Sequence, residues 1–366
     1  MNDRDDGGDG DDRSDGRDGD RLAVVVAKPR AQDVIDAAQQ EGVYDPDRSV
    51  VEYGEDSVAI PVTRLPESVD YREIARQVGE PRLRTLEDHL RERGWSDDEL
   101  ADAPGSWAVI GSVILVEVGD TPRPEEVGDA LLTMHGEADT VLARGGISGT
   151  HREPDVEVIA GEGDTRTVHT EHGVEYGLDL AEVMFSPGNK AERARMGEAV
   201  SDGERVLDMF AGIGYFTLPM AVAGAAVVAI EHNPTAFEFL LENAIRNSVT
   251  DRIQAYRADN RDVLAAGLDA FGEPSTVDRI VMGYYDATEP DGDGFTYLDP
   301  ALDALAPGGT IHVHEATPER LVFERPLERI EAAAAAHDRT AEVLDTRRVK
   351  SYSEGVEHVV VDVRIE

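Results

Sequence analysis

The stretch Arg205-Val-Leu-Asp-Met-Phe-Ala-Gly-Ile-Gly-Tyr-Phe216 decides the fold of this 366-residue chain. A short apolar run ends in Asp208, and a turn carrying Gly212 and Gly214 follows. An apolar segment at 215–222 then has the composition of a helix. Strand, glycine turn and helix in that order make the opening unit of a nucleotide-binding α/β fold. The glycines let backbone approach a ligand where a β-carbon would collide. The dinucleotide pattern G-x-G-x-x-G is not met, because position 217 is Thr. An ordinary strand-to-helix turn has the same local look, so the spacing downstream must decide.

Downstream, Ala225-Ala-Val-Val-Ala-Ile-Glu231 is a second apolar run ending in an acid. It falls about twenty residues on, where a carboxylate can accept both hydroxyls of a ribose. His232-Asn-Pro234 stops that strand and opens a helix at 235–247. A third run, 253–256, leads to Ala258-Asp259-Asn260, an acid-amide pair suited to an adenine amino edge. A fourth, Val277-Asp-Arg-Ile-Val-Met-Gly283, ends in an unusual loop. Each acid alone is more often a helix cap or a solvated charge; three at successive strand ends are hard to dismiss. An acid closing the first strand, then Phe-Ala-Gly-x-Gly, resembles the first motif of the S-adenosylmethionine (SAM) methyltransferase fold. The expected fold class is therefore α/β: a class I SAM-methyltransferase (Rossmann-like) catalytic domain preceded by smaller α+β domains.

The formal net charge is −41, from 35 basic and 76 acidic residues, and the isoelectric point is near 4.4. Such acidity ordinarily argues against nucleic acid. Its kind changes that inference. Only Lys28, Lys190 and Lys350 are lysine, so nearly all the positive charge is arginine, and there is no cysteine. This balance resembles a protein of an extreme halophile. At molar salt the Debye length is roughly 3 Å, which screens diffuse repulsion between an acidic surface and phosphates. Counterion release no longer favours binding either. RNA recognition must then rest on arginine forks, stacking and shape. The absence of cysteine excludes disulfides and Cys-ligated metal. The ten histidines show no ligand spacing, and a satisfied pair fits His312 and His314 better than a metal. With no apolar run of helix-spanning length and no signal-peptide pattern, a cytoplasmic location without a membrane partner is expected. A monomer is expected as well.

Residues 1–21 are almost wholly Asp, Gly and Arg, too polar to offset the entropy of folding, and read as a disordered acidic tail. An α+β region at 22–104 is expected to hold a strand (Leu22 to Ala27), a helix (31–41), a hairpin (49–53 with 57–61) and a charged helix over 71–94. A second α+β module, 105–183, should serve as an RNA-binding linker. It opens with two strands in Trp107-Ala-Val-Ile-Gly-Ser-Val-Ile-Leu-Val-Glu-Val118 and continues with a helix at 125–135 and strands near 140–143, 156–160 and 174–180. The catalytic domain is expected at 184–366, closed by antiparallel strands at 341–345 and 356–365.

Further motifs narrow the family: Gly161-Glu-Gly163, Val168-His-Thr-Glu-His-Gly173, Phe185-Ser-Pro-Gly-Asn189, Ala191-Glu-Arg193, and Arg347-Arg-Val-Lys-Ser-Tyr-Ser353 followed by Val356-Glu-His-Val-Val-Val-Asp362. Together they resemble the superfamily that unites the archaeal and eukaryotic tRNA guanine-N1 methyltransferases with the aminocarboxypropyltransferases of wybutosine biosynthesis. The resemblance runs from about residue 22 to the end and is densest from 105. The methyltransferases carry Asn-Leu-Pro at the end of the fourth strand and Phe-Asn-Pro-Arg at the domain entry. Here those places hold Met282-Gly-Tyr-Tyr285 and Phe185-Ser-Pro-Gly-Asn189. Both departures point to the tRNA wybutosine-synthesising protein 2 branch.

That resemblance implies SAM as co-substrate, no metal, and tRNA (tRNA-Phe, at the anticodon loop) as partner. It implies transfer of the aminocarboxypropyl arm to 4-demethylwyosine, a tricyclic guanosine derivative. By the same resemblance Ser186 and Arg193 contact the methionine arm, with Arg193 the natural fork for its carboxylate. Glu231 would bind the ribose, Asp259 with Asn260 the adenine, and Asp208, Phe210, Gly212 and Gly214 would shape the floor. From the residues alone, Arg193 reads equally well as a solvated helix residue and Ser186 as a cap. Tyr284 and Tyr285 are candidates to stack the splayed base, against a reading as core or surface tyrosines. Arg347, Arg348 and Lys350 form the densest basic cluster of the domain and are candidates for phosphates. Arg82, Arg84, Arg91 and Arg93 read better as an ion-paired helix. The nucleophile is a carbon of the acceptor, so no protein base is demanded and no catalytic residue is named. The rivals are a guanine-N1 methyltransferase and an idle SAM-fold module that only binds tRNA.

Overall fold

The computed structural model describes residues 21–366 except 77, 149–152, 268–275 and 291–295. All but the last residue of the expected acidic tail therefore lies outside the described residues. The chain divides into two compact units, one ending at His89 and one spanning Leu90–Glu366.

In the first unit, β1 (Leu22–Ala27) is followed by α1 (Ala31–Gln40), β2 (Val51–Glu52), β3 (Ser57–Val62) and β4 (Glu73–Arg76). The four strands form one antiparallel sheet in the order β2-β3-β1-β4. Val24, Val26, Ile60 and Val62 pack with Val34 of α1 on one face, while Ala23, Val25, Ala59 and Ala75 lie on the other. The helix expected over 71–94 is not what forms. Glu73–Arg76 pairs with the free edge of β1, Gly79 sits at φ +87°, and a helix, α2 (Leu86–Glu92), begins only after Pro81. Charged residues on the outer side of an edge strand carry no period that separates them from a solvated helix face. Of the arginines expected to pair along that helix, Arg84 lies before it and 3.8 Å from Asp47, and Arg91 lies 3.7 Å from Asp97.

The second unit continues with α3 (Asp97–Ala101), β5 (Trp107–Ile110), β6 (Val113–Val116), α4 (Pro124–Met134), β7 (Thr140–Ser148) and β8 (Glu153–Gly161). Strands β5-β6-β7-β8 make a four-stranded sheet, and β9 (Arg166–Glu171) with β10 (Val174–Asp179) makes a two-stranded ribbon. Strand β9 was not anticipated. Its inward residues are Thr167 and Glu171 while Val168 is exposed, so its polarity pattern runs opposite to that of a half-buried strand.

There follow α5 (Lys190–Ala199), β11 (Arg205–Asp208), α6 (Thr217–Val222), β12 (Ala226–Glu231), α7 (Pro234–Arg246), β13 (Ile253–Arg257), α8 (Asn260–Ala266), β14 (Val277–Met282), α9 (Leu298–Ala304), β15 (Leu305–Pro318), α10 (Glu324–Ala336), β16 (Ala341–Ser353) and β17 (Val356–Ile365). Seven strands join in the order β13-β12-β11-β14-β15-β17-β16. Strands β11 to β15 run parallel, and β17 enters antiparallel between β15 and β16. This is the doubly wound sheet with closing antiparallel strands that the resemblance implied.

Alternation along these strands sends successive side chains to opposite faces. Val206, Val227 and Val281 join one core with Met196, Leu218 and Phe239 of α5, α6 and α7. Leu207, Val228, Ile280 and Met282 join the other with Val263, Leu298 and Ile330 of α8, α9 and α10. Strands buried on both faces read as unbroken apolar runs, which is why they were visible in the sequence. The first core continues into Tyr176 and Leu178 of the ribbon and Ile110 and Leu142 of the smaller sheet. The strand order reverses at β11, so the crevice at the carboxyl ends of β11 and β14 is where such a sheet takes ligands. Among the described residues no helix is long and apolar enough to cross a membrane.

Asn243 of α7 ties this crevice to the ribbon. Its amide donates to the carbonyls of Gly177 and Ile213, both at 3.0 Å, and its oxygen accepts from Gly177 N at 2.7 Å. Asn243→Ala leaves these buried backbone groups unpaired, and we expect a loss of about 3 kcal/mol in unfolding free energy. Urea unfolding in molar KCl measures it, and Asn243→Leu, which fills the space without the bonds, should recover little of the loss.

Candidate active site

The glycine turn is built around charge as well as shape. Asp208 closes β11 fully buried, its carboxylate accepting from the Thr217 hydroxyl at 2.7 Å and from Phe210 N at 3.3 Å. Burial pushes its pKa up to about 6, against the pull of those hydrogen bonds. Gly212 and Gly214 hold φ of +55° and +102°. A β-carbon at Gly212 would lie 2.4 Å from the Tyr215 ring, and one at Gly214 2.6 Å from Leu218. Glu231, closing β12, accepts from Gly212 N at 2.8 Å and from Asn233 N at 2.7 Å. The carboxylate is thereby fixed beside the turn.

One strand further on, Asp259 caps α8 by accepting from Arg261 N at 2.8 Å, with its side chain about half exposed. Asn260 is buried, and its amide oxygen has no hydrogen-bond partner. Ala258 N donates to the Glu231 carbonyl at 3.2 Å, which joins the two acidic strand ends. Phe210 packs against Tyr284 at 5.3 Å and Tyr297 at 5.2 Å between ring centroids, and Arg261 lies over the Tyr297 ring. The structure thus brings Asp208, Phe210, Gly212, Gly214, Glu231, Asp259, Asn260 and Tyr284 to one edge. Fixed carboxylates and an orphaned amide oxygen fit a nucleoside with its adenine and ribose.

The two tyrosines after β14 part company. Tyr284 joins Phe210, whereas Tyr285 packs on His358 at 4.5 Å and Tyr352 at 5.3 Å, its hydroxyl 3.5 Å from His358 Nδ1. His358 shares a 3.0 Å bond with His314, and burial drives the His358 pKa down to about 3. The loop that carries both tyrosines is pinned by Glu315, which is fully buried and accepts from Thr288 at 2.5 Å and from Arg325 and Arg329. His312 is bonded to Asp362 at 2.7 Å, whereas His314, bonded through Nδ1 to His358, keeps a buried Nε2 without a hydrogen-bond partner. Among the described residues no cluster of His, Cys, Asp or Glu is placed to hold a metal ion.

Beyond the glycine turn, Phe185 contacts the Tyr215 ring at 5.9 Å and leads into Ser186. Here two expectations need correction. Arg193 is 2% exposed, which overturns the solvated-helix reading. Its fork is also taken: Nε and Nη2 donate to Glu171 at 2.6 and 2.9 Å, while Nη1 donates to the Ser186 carbonyl at 3.0 Å. The Phe185 ring covers the guanidinium at 4.6 Å. Glu171 lay inside a quoted motif, yet nothing in the sequence marked it as a partner of Arg193.

The second correction concerns the expected phosphate cluster. Arg347 forks Glu192 at 2.8 and 2.7 Å and donates to Asp362 at 2.6 Å, and these carboxylates raise its pKa although burial opposes them. It is an internal cross-link. Lys350 is half-buried and donates to Ser186 Oγ at 2.6 Å. Arg348 alone of the three is exposed.

Although burial opposes it, Glu171 is held down to about pKa 2 by bonds from His169 and Arg193. A depressed carboxylate contributes stability that is complete above its ordinary pKa of 4.5 and is lost as pH falls through the folded value. Glu171→Gln strands a buried guanidinium and is expected to cost about 3–5 kcal/mol at pH 7. The gap from wild type should narrow between pH 4.5 and 2 in denaturant titrations at fixed salt. A gap independent of pH there would contradict the ion-pair account.

The profile of the TYW2 N-terminal domain matches residues 86–165, and that of the TRM5/TYW2 methyltransferase domain matches residues 167–344. A Pyrococcus horikoshii protein named tRNA(Phe) (4-demethylwyosine(37)-C(7)) aminocarboxypropyltransferase is 40% identical, over 72% of this chain and 90% of its own length. Pyrococcus abyssi tRNA (guanine(37)-N(1))-methyltransferase Trm5b is 30% identical, over 72% of this chain and 75% of its own. Among solved structures, P. horikoshii TYW2 in complex with MeSAdo aligns with a TM-score of 0.63 at 36% identity, covering 75% of this chain and 96% of that one. Wild-type Trm5b from P. abyssi aligns at 0.71 and 29%, covering 94% and 99%. With its glycine turn, its acidic strand ends and this likeness, the chain belongs to the TRM5/TYW2 family.

Proposed function

We propose that this chain transfers the 3-amino-3-carboxypropyl group of SAM to 4-demethylwyosine beside the anticodon of tRNA-Phe. One observation carries the choice of reaction: the fourth strand ends in Gly283-Tyr284-Tyr285, in a chain 40% identical to an enzyme of that activity along nine-tenths of its length. SAM supplies, when bound, a carbon activated by a sulfonium leaving group, so the protein's task is chiefly orientation.

The chain's own residues then take these parts. Asp259 and Asn260 hold the adenine, and Glu231, oriented by Gly212 N and Asn233 N, holds the ribose. Asp208, Phe210, Gly212 and Gly214 form the floor. Ser186 faces the methionine arm, and Arg193 acts by bracing the Ser186 carbonyl. Tyr284 offers a face to the acceptor base, and exposed Arg348 reaches phosphate. The bond made joins a ring carbon of the acceptor to the γ-carbon of the arm; the carbon–sulfur bond breaks, methylthioadenosine leaves, and the ring proton passes to solvent. We assign no protein base. The module at 105–183 serves as an RNA-binding linker after the N-terminal α+β region at 22–104, and 184–366 carries catalysis. The excess of acid and scarcity of lysine support a protein of a halophilic archaeon, which we take to be monomeric and cytoplasmic.

The test is product identity. The protein is incubated in molar KCl with SAM and tRNA-Phe bearing the demethylated tricycle, and in parallel with tRNA carrying plain guanosine. Mass spectrometry should find methylthioadenosine and an aminocarboxypropyl gain on the tricycle only. S-adenosylhomocysteine with a methyl gain on guanosine would instead make it the methyltransferase. Glu231→Ala should weaken SAM binding at least tenfold in equilibrium dialysis; unchanged affinity would remove its assigned role.

A further inference from the structure

Transfer to a ring carbon leaves one proton to dispose of, and the catalytic sheet holds two buried histidines so far without a part in that step. His314 on β15 and His358 on β17 are 1% and 0% exposed, and they meet through His314 Nδ1 and His358 Nε2 at 3.0 Å. Burial, with Lys350 and Arg347 nearby, drives the His358 pKa down to about 3. Burial and the neighbouring His358 take His314 well below its ordinary value. Both rings are therefore neutral at any working pH. A pair kept only to fill the core would be poorly chosen. His314 Nε2 is buried with no hydrogen-bond partner among the described residues, a cost that an apolar pair of the same shape avoids.

The pair opens outward through Tyr285. That ring packs on His358 at 4.5 Å with its hydroxyl 3.5 Å from Nδ1, and it is only partly buried. Tyr352, half exposed on the β16–β17 hairpin, meets the Tyr285 ring edge-on. On the inner side Phe216, which follows the glycine turn, covers His314 at 4.9 Å. A β-carbon at Gly283 would lie 3.2 Å from that Phe216 ring. The two histidines are thus bracketed by the loop Gly283–Tyr285. An acceptor base stacked on Tyr284 is one residue from the Tyr285 hydroxyl.

Neutrality then fixes the order of the bonds. With Tyr285 donating to His358 Nδ1, His358 carries its one proton on Nε2 and donates it to His314 Nδ1. A proton acceptor held in place by a third group is the arrangement of the hydrolytic triads. We propose that Tyr285, backed by the His358–His314 pair, takes the proton released from the acceptor ring carbon. Once the new carbon–carbon bond has formed, that carbon holds both the arm and its hydrogen, and the ring system carries the positive charge. The C–H electron pair returns to the ring and the proton passes to Tyr285 Oη, while the Tyr285 hydroxyl proton passes to His358 Nδ1. The imidazolium so formed donates a charge-assisted bond to His314 Nδ1. Its extra proton returns through Tyr285 to solvent when the product leaves. So weak a base suffices because a proton on a cationic tetrahedral carbon is strongly acidic. Tyr285 touches the substrate; His358 and His314 are positioning residues that act through it. This assignment rests on the proposed transfer to a ring carbon.

The test uses the full-length protein in molar KCl with tRNA-Phe whose tricycle carries hydrogen or deuterium on the reacting carbon. Single turnovers at saturating SAM are read as product nucleoside by mass spectrometry, so weakened cofactor binding does not enter. Tyr285→Phe keeps the ring and removes the hydroxyl. His358→Gln keeps a hydrogen-bonding side chain that cannot take a proton. We expect each variant to slow product formation about a hundredfold. We also expect each to show a larger isotope effect than wild type, because proton removal has become the slow step. Wild-type rates in either variant would overturn the proposal. A slower rate with an unchanged isotope effect would mark these groups as structural and overturn it too. Wild-type protein that puts no aminocarboxypropyl group on the tricycle would overturn the transfer reaction itself, a failure distinct from that of the proton route.

Discussion

A turn without room for side chains sets the rest of the catalytic sheet. Between β11 and α6 the backbone passes Gly212 and Gly214 in conformations that L residues rarely adopt. The space beside them is filled by Tyr215 and Leu218. The exposed N–H of Gly212 is caught by Glu231, and the buried Asp208 holds the first residue of the helix through Thr217. Each of these acids stabilises the turn in the folded chain. Asp208 does so from the interior, fully buried, while Glu231 stands beside the turn at the carboxyl end of β12. The turn therefore cannot be altered for binding without being altered for folding.

Electrostatics here works over short distances. A net charge of −41 describes the surface, but the groups that hold the domain together are guanidinium–carboxylate contacts sealed from solvent. Concentrated salt attenuates exposed charge and reaches buried pairs much less. Arg193–Glu171 joins α5 to β9, Arg347–Glu192 joins β16 to α5, and Glu315 gathers Thr288, Arg325 and Arg329. Because acids outnumber bases so heavily, an interior cation here readily finds a partner.

The inner parallel strands were legible because both of their faces are buried, and the acids at the strand ends because they fall at regular intervals. The charged stretch around Glu73–Arg76 was misread as helix, since an edge strand with an exposed Ile74 has no distinctive period. Strand β9 was missed because it turns polar residues inward. At the site, Asp208, Glu231 and the glycines could be found from spacing alone. Glu171 and Tyr297 could not, since their roles depend on which distant side chains they meet. Arg347 and Lys350 looked alike in sequence. Their difference lies wholly in their surroundings, four carboxylate oxygens in one case and one hydroxyl in the other.

The contact between Ser186 and Lys350 spans 164 positions of chain, and that between Glu192 and Arg347 spans 155. Contacts so far apart in sequence close late, because a long loop must first be ordered. Strand β17 must slot between β15 and β16 before they can form. A folding chain thus completes its glycine turn from a local stretch, and the Ser186–Lys350 and Glu192–Arg347 contacts only when its last hairpin is in place. The entry segment at Ser186 and helix α5 are therefore anchored by the last strands to be made, so loss of the final hairpin is felt at the front of the domain.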